Sequence, residues 1–205
     1  MIKTARLSKW PIEESTVPDH MPPGWGKDDL SEFLDRVRQN QLATFHNKRD
    51  AFGLMGEVDA CFMTIGSNML NPKDMLTPVF FYRCHSAYRA ACGLAMGGHN
   101  VEIYPLLRAC LENAAYGLYI RKLKRLGRAW LDRNENADAK KLVIREFQLS
   151  KIRPVIEACD KRLPEIFDYL YELTIDHGGH PNQRGVMGSL TIREEADRKF
   201  FEQIF

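Results

Sequence analysis

The sequence YPLLRACLENAAYGLYI, residues 104–120, is an apolar stretch with helical spacing that nonetheless contains two charged residues, Arg108 and Glu112. These residues are one turn apart and share a face of the predicted helix. A guanidinium and a carboxylate are costly to remove from water unless they are paired and hydrogen-bonded. The pair therefore belongs either to a buried polar network or to a functional site.

Further helices are predicted on both sides of this stretch from apolar residues at helical spacing. The small residues near residue 90 and the Gly97-Gly98 stop indicate that the preceding helix forms a close antiparallel hairpin with the one containing Arg108. Pro105 is tolerated because it lies in the first turn. The predicted segments begin near Asp28 and then span roughly 50–69, 77–96, 100–130, 137–160 and 164–176, with a last helix from the Thr191–Glu194 capping box onward.

This pattern predicts an all-α fold, a single-domain helical bundle of about six to seven helices with an extended N-terminal arm. The arm covers residues 1–27 and the bundle domain covers residues 28–205. Four prolines and two tryptophans, Trp10 and Trp25, give the arm neither helical nor strand periodicity. Two tryptophans in such a segment indicate packing on the body or on a partner, and a homo-oligomer through the arm is one such arrangement.

Composition places the chain among ordinary globular proteins, with 44% hydrophobic and 27% charged residues. No run approaches the ~18 apolar residues of a membrane span, and the opening residues lack a signal-peptide core. The five cysteines include no C-x-x-C pair, which suits reduced thiols. We expect a cytoplasmic protein that does not associate with a membrane and needs no cofactor.

Positive charge is concentrated in residues 121–162, which hold 13 Lys+Arg against 6 Asp+Glu. A segment with this balance can bind phosphate groups, so RNA or a nucleotide is a candidate partner there. The alternative is a solvated face, since cations are favoured after the C-terminus of an apolar helix. The absence of interleaved aromatic residues favours the solvated face.

Arg108, Glu112 and His180 are the candidate catalytic residues. His180 stands in the glycine-rich loop HGGHPN, which can present an imidazole rigidly, and imidazole moves protons near neutral pH. The alternative is that His180 only caps a helix or bonds to a carbonyl. Weaker candidates for ligand binding are His85, Arg89, Tyr104, Tyr119 and His177.

The pair of His85 and Arg89 has a simpler interpretation as part of a solvent-facing polar strip. No metal site is predicted, because no Glu-x-x-His or H-E-x-x-H motif occurs. His177 and His180 with Asp176 could hold Zn²⁺, but three ligands in one loop are a weak pattern. Glycine-rich phosphate-binding motifs are also absent.

The segments YRAACGLAMGGHNVEIYPLLRACLENAAYGLYI and YLYELTIDHGGHPN resemble the DUF5677 family of helical bacterial proteins over about residues 77–185. Arg108, Glu112 and His180 match the Arg-x-x-x-Glu and late His of that family. Its architecture is similar to that of HEPN domains, many of which are ribonucleases of toxin and antiphage systems. The resemblance would therefore imply RNA cleavage, but the Arg and His four to six residues apart that HEPN nucleases carry on one helix are missing here.

Two functions follow. The first is a binding or interaction module, in which Arg108, Glu112 and His180 form a buried polar cluster that holds the bundle together. The second is a metal-independent phosphodiesterase or ribonuclease, in which Arg108 stabilises phosphate charge, His180 transfers a proton and Glu112 orients one of them. The missing catalytic spacing favours the binding module.

Overall fold

The computed structural model describes residues 21–70, 74–179, 190–195 and 198–203. The described residues form eight α-helices, one 3₁₀ turn over Asp132–Asn134, one π-helical turn and one β-hairpin, and the all-α class is confirmed. Within these ranges, no helix combines the length and the apolar character that a membrane span requires. The α-helices are α1 Asp29–Asn47, α2 Arg49–Ser67, α3 Leu76–Gly97, α4 Ile103–Lys122, α5 Arg125–Leu131, α6 Ala137–Glu146, α7 Leu149–Glu157 and α8 Leu163–Thr174; the π-helical turn is Ile175–Gly179, and the strands are β1 Leu190–Glu195 and β2 Arg198–Gln203.

The chain divides into two compact units. Among the described residues, one unit comprises 21–70 with Met96–Gly98, and the other comprises 74–95 with 99–179, 190–195 and 198–203. The predicted division into an arm over 1–27 and a domain over 28–205 stays a prediction.

In the first unit, α1 begins where its sequence predicts. The Asp28 carboxylate accepts a hydrogen bond from the Ser31 backbone N–H at 2.9 Å, which is an N-cap. The chain before it is tied to the helix, because the Trp25 indole N–H donates to Asp35 at 3.4 Å. At the turn between α1 and α2, Phe45 and Phe52 pack edge to face with ring centroids 4.7 Å apart. The predicted start of the helical region at Asp28 is confirmed.

In the second unit, α3 and α4 pack closely and antiparallel. A Cβ on Gly117 would lie 3.0 Å from the Phe80 Cβ, so the absence of a side chain at Gly117 lets the two helices approach. The C-terminal end of α3, which falls in the first unit, is followed by Gly98, whose φ of +96° is the left-handed conformation that glycine adopts without strain. The predicted helical hairpin is confirmed.

The core of the second unit lies where α3, α4, α5, α6 and α7 meet. Ile120, Leu126 and Ile152 are its most completely buried side chains. Phe80 packs edge to face on Trp130 at a centroid distance of 4.9 Å. The remaining members of the buried cluster are Ala115, Tyr119, Val143, Phe147 and Ile156.

Three predicted elements are corrected. The helix over 100–130 is divided into α4 and α5, and the helix over 137–160 is divided at Phe147–Gln148 into α6 and α7. The last helix, from Thr191, is wrong, since the chain forms an antiparallel hairpin there instead. Glu194 stands opposite Lys199 with 2.8 Å between carboxylate and ammonium, and such cross-strand pairs stabilise a hairpin. The capping-box pattern is too local to outweigh strand pairing.

Candidate functional site

The Arg108 side chain is held in a closed triangle of hydrogen bonds between α4 and α8. Its Nε donates to Glu112 Oε1 at 3.0 Å and its Nη2 donates to the Tyr171 hydroxyl at 2.8 Å. The Tyr171 hydroxyl in turn donates to Glu112 Oε1 at 2.9 Å. Each member therefore bonds to both others, and α8 is tied to α4 across 59 residues of sequence. We call these three residues the polar cluster.

The polar cluster is half-buried and not sealed. The Arg108 and Glu112 side chains are 26% and 37% exposed, so water reaches both charges. The hydrogen bond to Glu112 raises the pKa of Arg108, and burial followed by the bond to Glu112 raises the pKa of Tyr171. The guanidinium is thus charged and the phenol is neutral at physiological pH, which the hydrogen-bond directions require.

Tyr171 is the member that sequence reasoning missed. Its ring stacks on Phe167 at a centroid distance of 5.7 Å, and the Arg108 guanidinium carbon lies 5.0 Å from the ring centroid. The sequence signal that could have indicated this position is its spacing, since Leu163, Phe167 and Tyr171 recur every fourth residue and share one face of α8. A tyrosine at a packed position needs a partner for its hydroxyl, and Glu112 and Arg108 provide it.

The π-helical turn after α8 packs against the start of α4. The His177 ring stacks on the Tyr104 ring at 5.0 Å, and Tyr104 lies one helical turn before Arg108. Only glycine fits at Gly178, because a Cβ there would lie 2.8 Å from both the Tyr104 Cβ and the Val101 carbonyl oxygen. Single π-helical turns often occur at functional sites. Tyr104 and His177, both predicted as weak site residues, are thus brought together near Arg108.

The other predicted site residues are distributed differently. His180, the proposed proton-transfer residue, lies outside the described residues. Tyr119 is 3% exposed and packs on Phe147 in the core, so it belongs to the core and not to the site. On α3, Arg89 is exposed, as expected for a solvent-facing polar strip. His85 is buried, so the solvent-facing interpretation is wrong for His85.

An apolar groove lies between α4 and α8 beside the polar cluster. Both helices contribute residues at the spacing i, i+3, i+4, i+7, which marks one continuous face of a helix. Its volume is about 230 Å³. We call it the α4–α8 groove, and its lining residues are Leu111, Ala114, Ala115 and Leu118 from α4, Ile156 from α7, and Leu163, Ile166, Phe167 and Leu170 from α8.

A second cavity, of about 380 Å³, lies next to the start of α3 and includes Lys124 and Arg128 from the basic segment. Its carboxylate, Asp74, caps α3 by accepting from the Leu76 backbone N–H at 3.0 Å. Arg128 is already paired with Asp132 at 2.8 Å.

Much of the charge in the basic segment 121–162 is likewise paired within the chain. Six of its 13 cations form ion pairs, so the segment is not a bare positive face. These pairs are Arg128–Asp132, Lys141–Asp138, Arg145–Glu146, Lys151–Glu146, Arg153–Asp168 and Arg162–Asp160.

Within the ranges that the structure describes, no group of three or more His, Cys, Asp or Glu side chains is arranged to hold a metal ion. His177 and Asp176 are described, whereas the third member of the loop set, His180, is not.

No family model matches the chain, and comparisons with curated proteins and with solved structures found no match either. The resemblance to the DUF5677 family stays a prediction.

Proposed function

We propose that this protein is an interaction module that receives an amphipathic helix of a partner protein in the α4–α8 groove. The observation that carries this proposal is the pattern of the groove lining, in which α4 and α8 each present an i, i+3, i+4, i+7 apolar face toward the same space. Two such faces accept the side chains of a third helix, as in other helix-in-groove complexes.

The size and chemistry of the groove support a helix over a small molecule. Its volume of about 230 Å³ is below the ~300–1,000 Å³ of small-molecule sites, but it suits a few anchoring side chains. All nine lining residues are apolar, and Leu163, Ile166 and Leu170 are exposed. Exposed apolar surface gathered on one face is typical of a binding site.

In this proposal the polar cluster has a positioning role. Leu111 directly precedes Glu112 and Leu170 directly precedes Tyr171, so the hydrogen bonds of the cluster hold the groove-lining helices at one end of the groove. Every member of the cluster already has two partners within it, which suits a fixed structural lock better than a reacting group.

Selection from a display library of helix-favouring peptides tests the proposal. We expect enriched peptides to share apolar residues at i, i+3 or i+4, and i+7, and to bind the wild type but not Ile166→Asp. Ile144→Asp is the matched control, because Ile144 lies on α6 outside the groove and is 56% exposed against 52% for Ile166. No enrichment, or equal binding to both variants, would overturn the proposal.

A phosphodiesterase or ribonuclease is the second candidate, and one observation favours it. The Arg108 guanidinium is partly exposed, and the His177 imidazole lies nearby. The imidazole stacks on Tyr104, which lies one turn of α4 before Arg108. Arg108 would bind the phosphate and His177 or His180 would transfer the proton. Bonds to described residues account for two of the five guanidinium N–H donors.

Incubation of the purified protein with an RNA pool separates the two candidates. The enzyme predicts products that disappear in Arg108→Ala, and in either His177→Ala or His180→Ala. Products that persist unchanged in all three variants, or no products from the wild type, would overturn the assignment of these residues as a phosphodiesterase or ribonuclease site.

A further inference from the structure

Cys84 and Cys110 face each other across the α3–α4 contact. Their Sγ atoms are 3.3 Å apart, and both thiols are free. A disulfide has an S–S length of about 2.05 Å, so the two sulfurs need to approach by about 1.3 Å. The residues lie on adjacent helices that Gly117 already allows to pack closely.

The two thiols differ in a way that suits sequential oxidation. Cys84 is buried, whereas Cys110 is partly exposed, so a small oxidant reaches Cys110 first. The hydrogen bond between the two thiols lowers the pKa of Cys110, and that bond together with burial raises the pKa of Cys84. Because Cys110 is the more accessible of the two sulfurs, it is the attacking one and Cys84 is the resolving one, and the lowered pKa of Cys110 agrees with this order since the thiolate is the nucleophile.

We propose that Cys84 and Cys110 form a redox-active dithiol that a hydroperoxide converts into a disulfide joining α3 to α4. The Cys110 thiolate attacks the hydroxyl oxygen of the peroxide, the S–O bond of a sulfenic acid forms as the O–O bond breaks, and the departing oxygen takes up a proton and leaves as water or an alcohol. The sulfur of Cys84 then attacks the sulfenic sulfur of Cys110. The S–S bond forms, the S–O bond breaks, and the hydroxyl leaves as water with the proton from Cys84.

In this reaction the two sulfurs lose two electrons and the hydroperoxide gains them. The disulfide fixes α3 to α4 within two residues of Arg108, so oxidation constrains the helix that carries Arg108 and Glu112 of the polar cluster and one wall of the α4–α8 groove. This inference does not depend on the proposed function, since it concerns thiols outside the groove lining.

Treatment of the full-length protein with hydrogen peroxide, followed by mass spectrometry of its peptides, tests the inference. The native protein is oxidised, denatured, alkylated and digested. We expect a Cys84–Cys110 cross-linked peptide, a fall in alkylated cysteines from five to three, and full reversal by a dithiol reductant. Cys110→Ser should abolish the cross-link, whereas Cys159→Ser, which removes an exposed cysteine, should retain it.

The rate of cross-linking supplies a test that needs no variant. An intramolecular disulfide forms at a rate independent of protein concentration. Oxidation of Cys61 and Cys159 without a Cys84–Cys110 cross-link would overturn the inference, and so would a cross-linking rate that rises with protein concentration.

Discussion

The Tyr171 hydroxyl donates to Glu112 Oε1 at 2.9 Å, and this bond joins α8 to α4 at one end of an apolar groove. The same carboxylate oxygen also accepts from Arg108 Nε. One atom of Glu112 therefore binds both Arg108 on its own helix, α4, and Tyr171 on α8. Any change at Tyr171 therefore acts on the polar cluster and on the shape of the groove together.

Tyr171→Phe should lower the free energy of unfolding by about 1–2 kcal/mol, since the ring still stacks on Phe167 but two hydrogen bonds to charged groups are lost. Denaturant unfolding measures the change. Tyr169→Phe is the control, because Tyr169 lies two residues away on α8 and is 68% exposed. Equal stabilities for the two variants would show that the hydrogen bonds of the Tyr171 hydroxyl contribute nothing.

Arg108→Ala should cost about 1–3 kcal/mol, less than the ~3–5 kcal/mol of a broken, fully buried pair, because water reaches Glu112. A double-mutant cycle with Tyr171→Phe should give a coupling energy of about 0.5–3 kcal/mol. Strict additivity of the two substitutions would contradict the closed triangle of hydrogen bonds.

The stability of the protein should fall as the pH rises above about 10. An unfolded tyrosine ionises near pH 10, and burial raises the pKa of Tyr171 above that value. Between the two pKa values the folded state binds more protons than the unfolded state, so stability decreases with pH. Burial raises the pKa of Tyr116 and Tyr119 as well, with the same sign.

Tyr171→Phe should reduce this alkaline loss without abolishing it. Denaturant titrations at several pH values above neutrality measure the slope for both proteins. An identical slope in the wild type and the variant would show that Tyr171 does not keep its proton through contacts of the folded state.

Gly178→Ala should destabilise the protein by about 1–3 kcal/mol, because the new Cβ would lie 2.8 Å from the Val101 carbonyl oxygen and the Tyr104 Cβ. Gly53→Ala in α2 is the control, since a Cβ there meets nothing within 4 Å and should stabilise the helix by about 0.5–1 kcal/mol. Thermal unfolding distinguishes them. An unchanged melting temperature for Gly178→Ala would contradict the close packing of the π-helical turn against the start of α4.

Local sequence signals predicted where the first four helices begin and how α3 and α4 pack. Asp28 is the N-cap of α1, Gly98 follows the end of α3 with a left-handed backbone conformation, and Gly117 permits the close α3–α4 contact. These features depend on residues near one another in sequence or on a residue type with one steric property. Each could therefore be inferred without knowledge of the rest of the chain.

The features that sequence did not predict depend on distant partners. The division of the long segment over 137–160 occurs at Phe147–Gln148, where Phe147 turns into the core against Tyr116 and Tyr119. The hairpin over Leu190–Gln203 depends on pairing between two strands, which outweighs the capping box at Thr191. A helical period alone cannot indicate either.

The candidate site shows the same division. The pairing of Arg108 with Glu112 follows from their spacing on one helix, whereas Tyr171 is 59 residues from Glu112 and its role requires the packing of α8 on α4. The contact between Cys84 and Cys110 likewise requires the register of α3 on α4, and no motif in the sequence marks it.

The affinity of one selected helical peptide for the wild type, for Ile166→Asp and for Ile144→Asp tests the interaction module most directly. We predict that Ile166→Asp weakens binding about tenfold or more, as loss of an anchoring pocket does, and that Ile144→Asp leaves the Kd within about twofold of the wild type. Equal Kd values for Ile166→Asp and the wild type would contradict the assignment of the α4–α8 groove as the binding site.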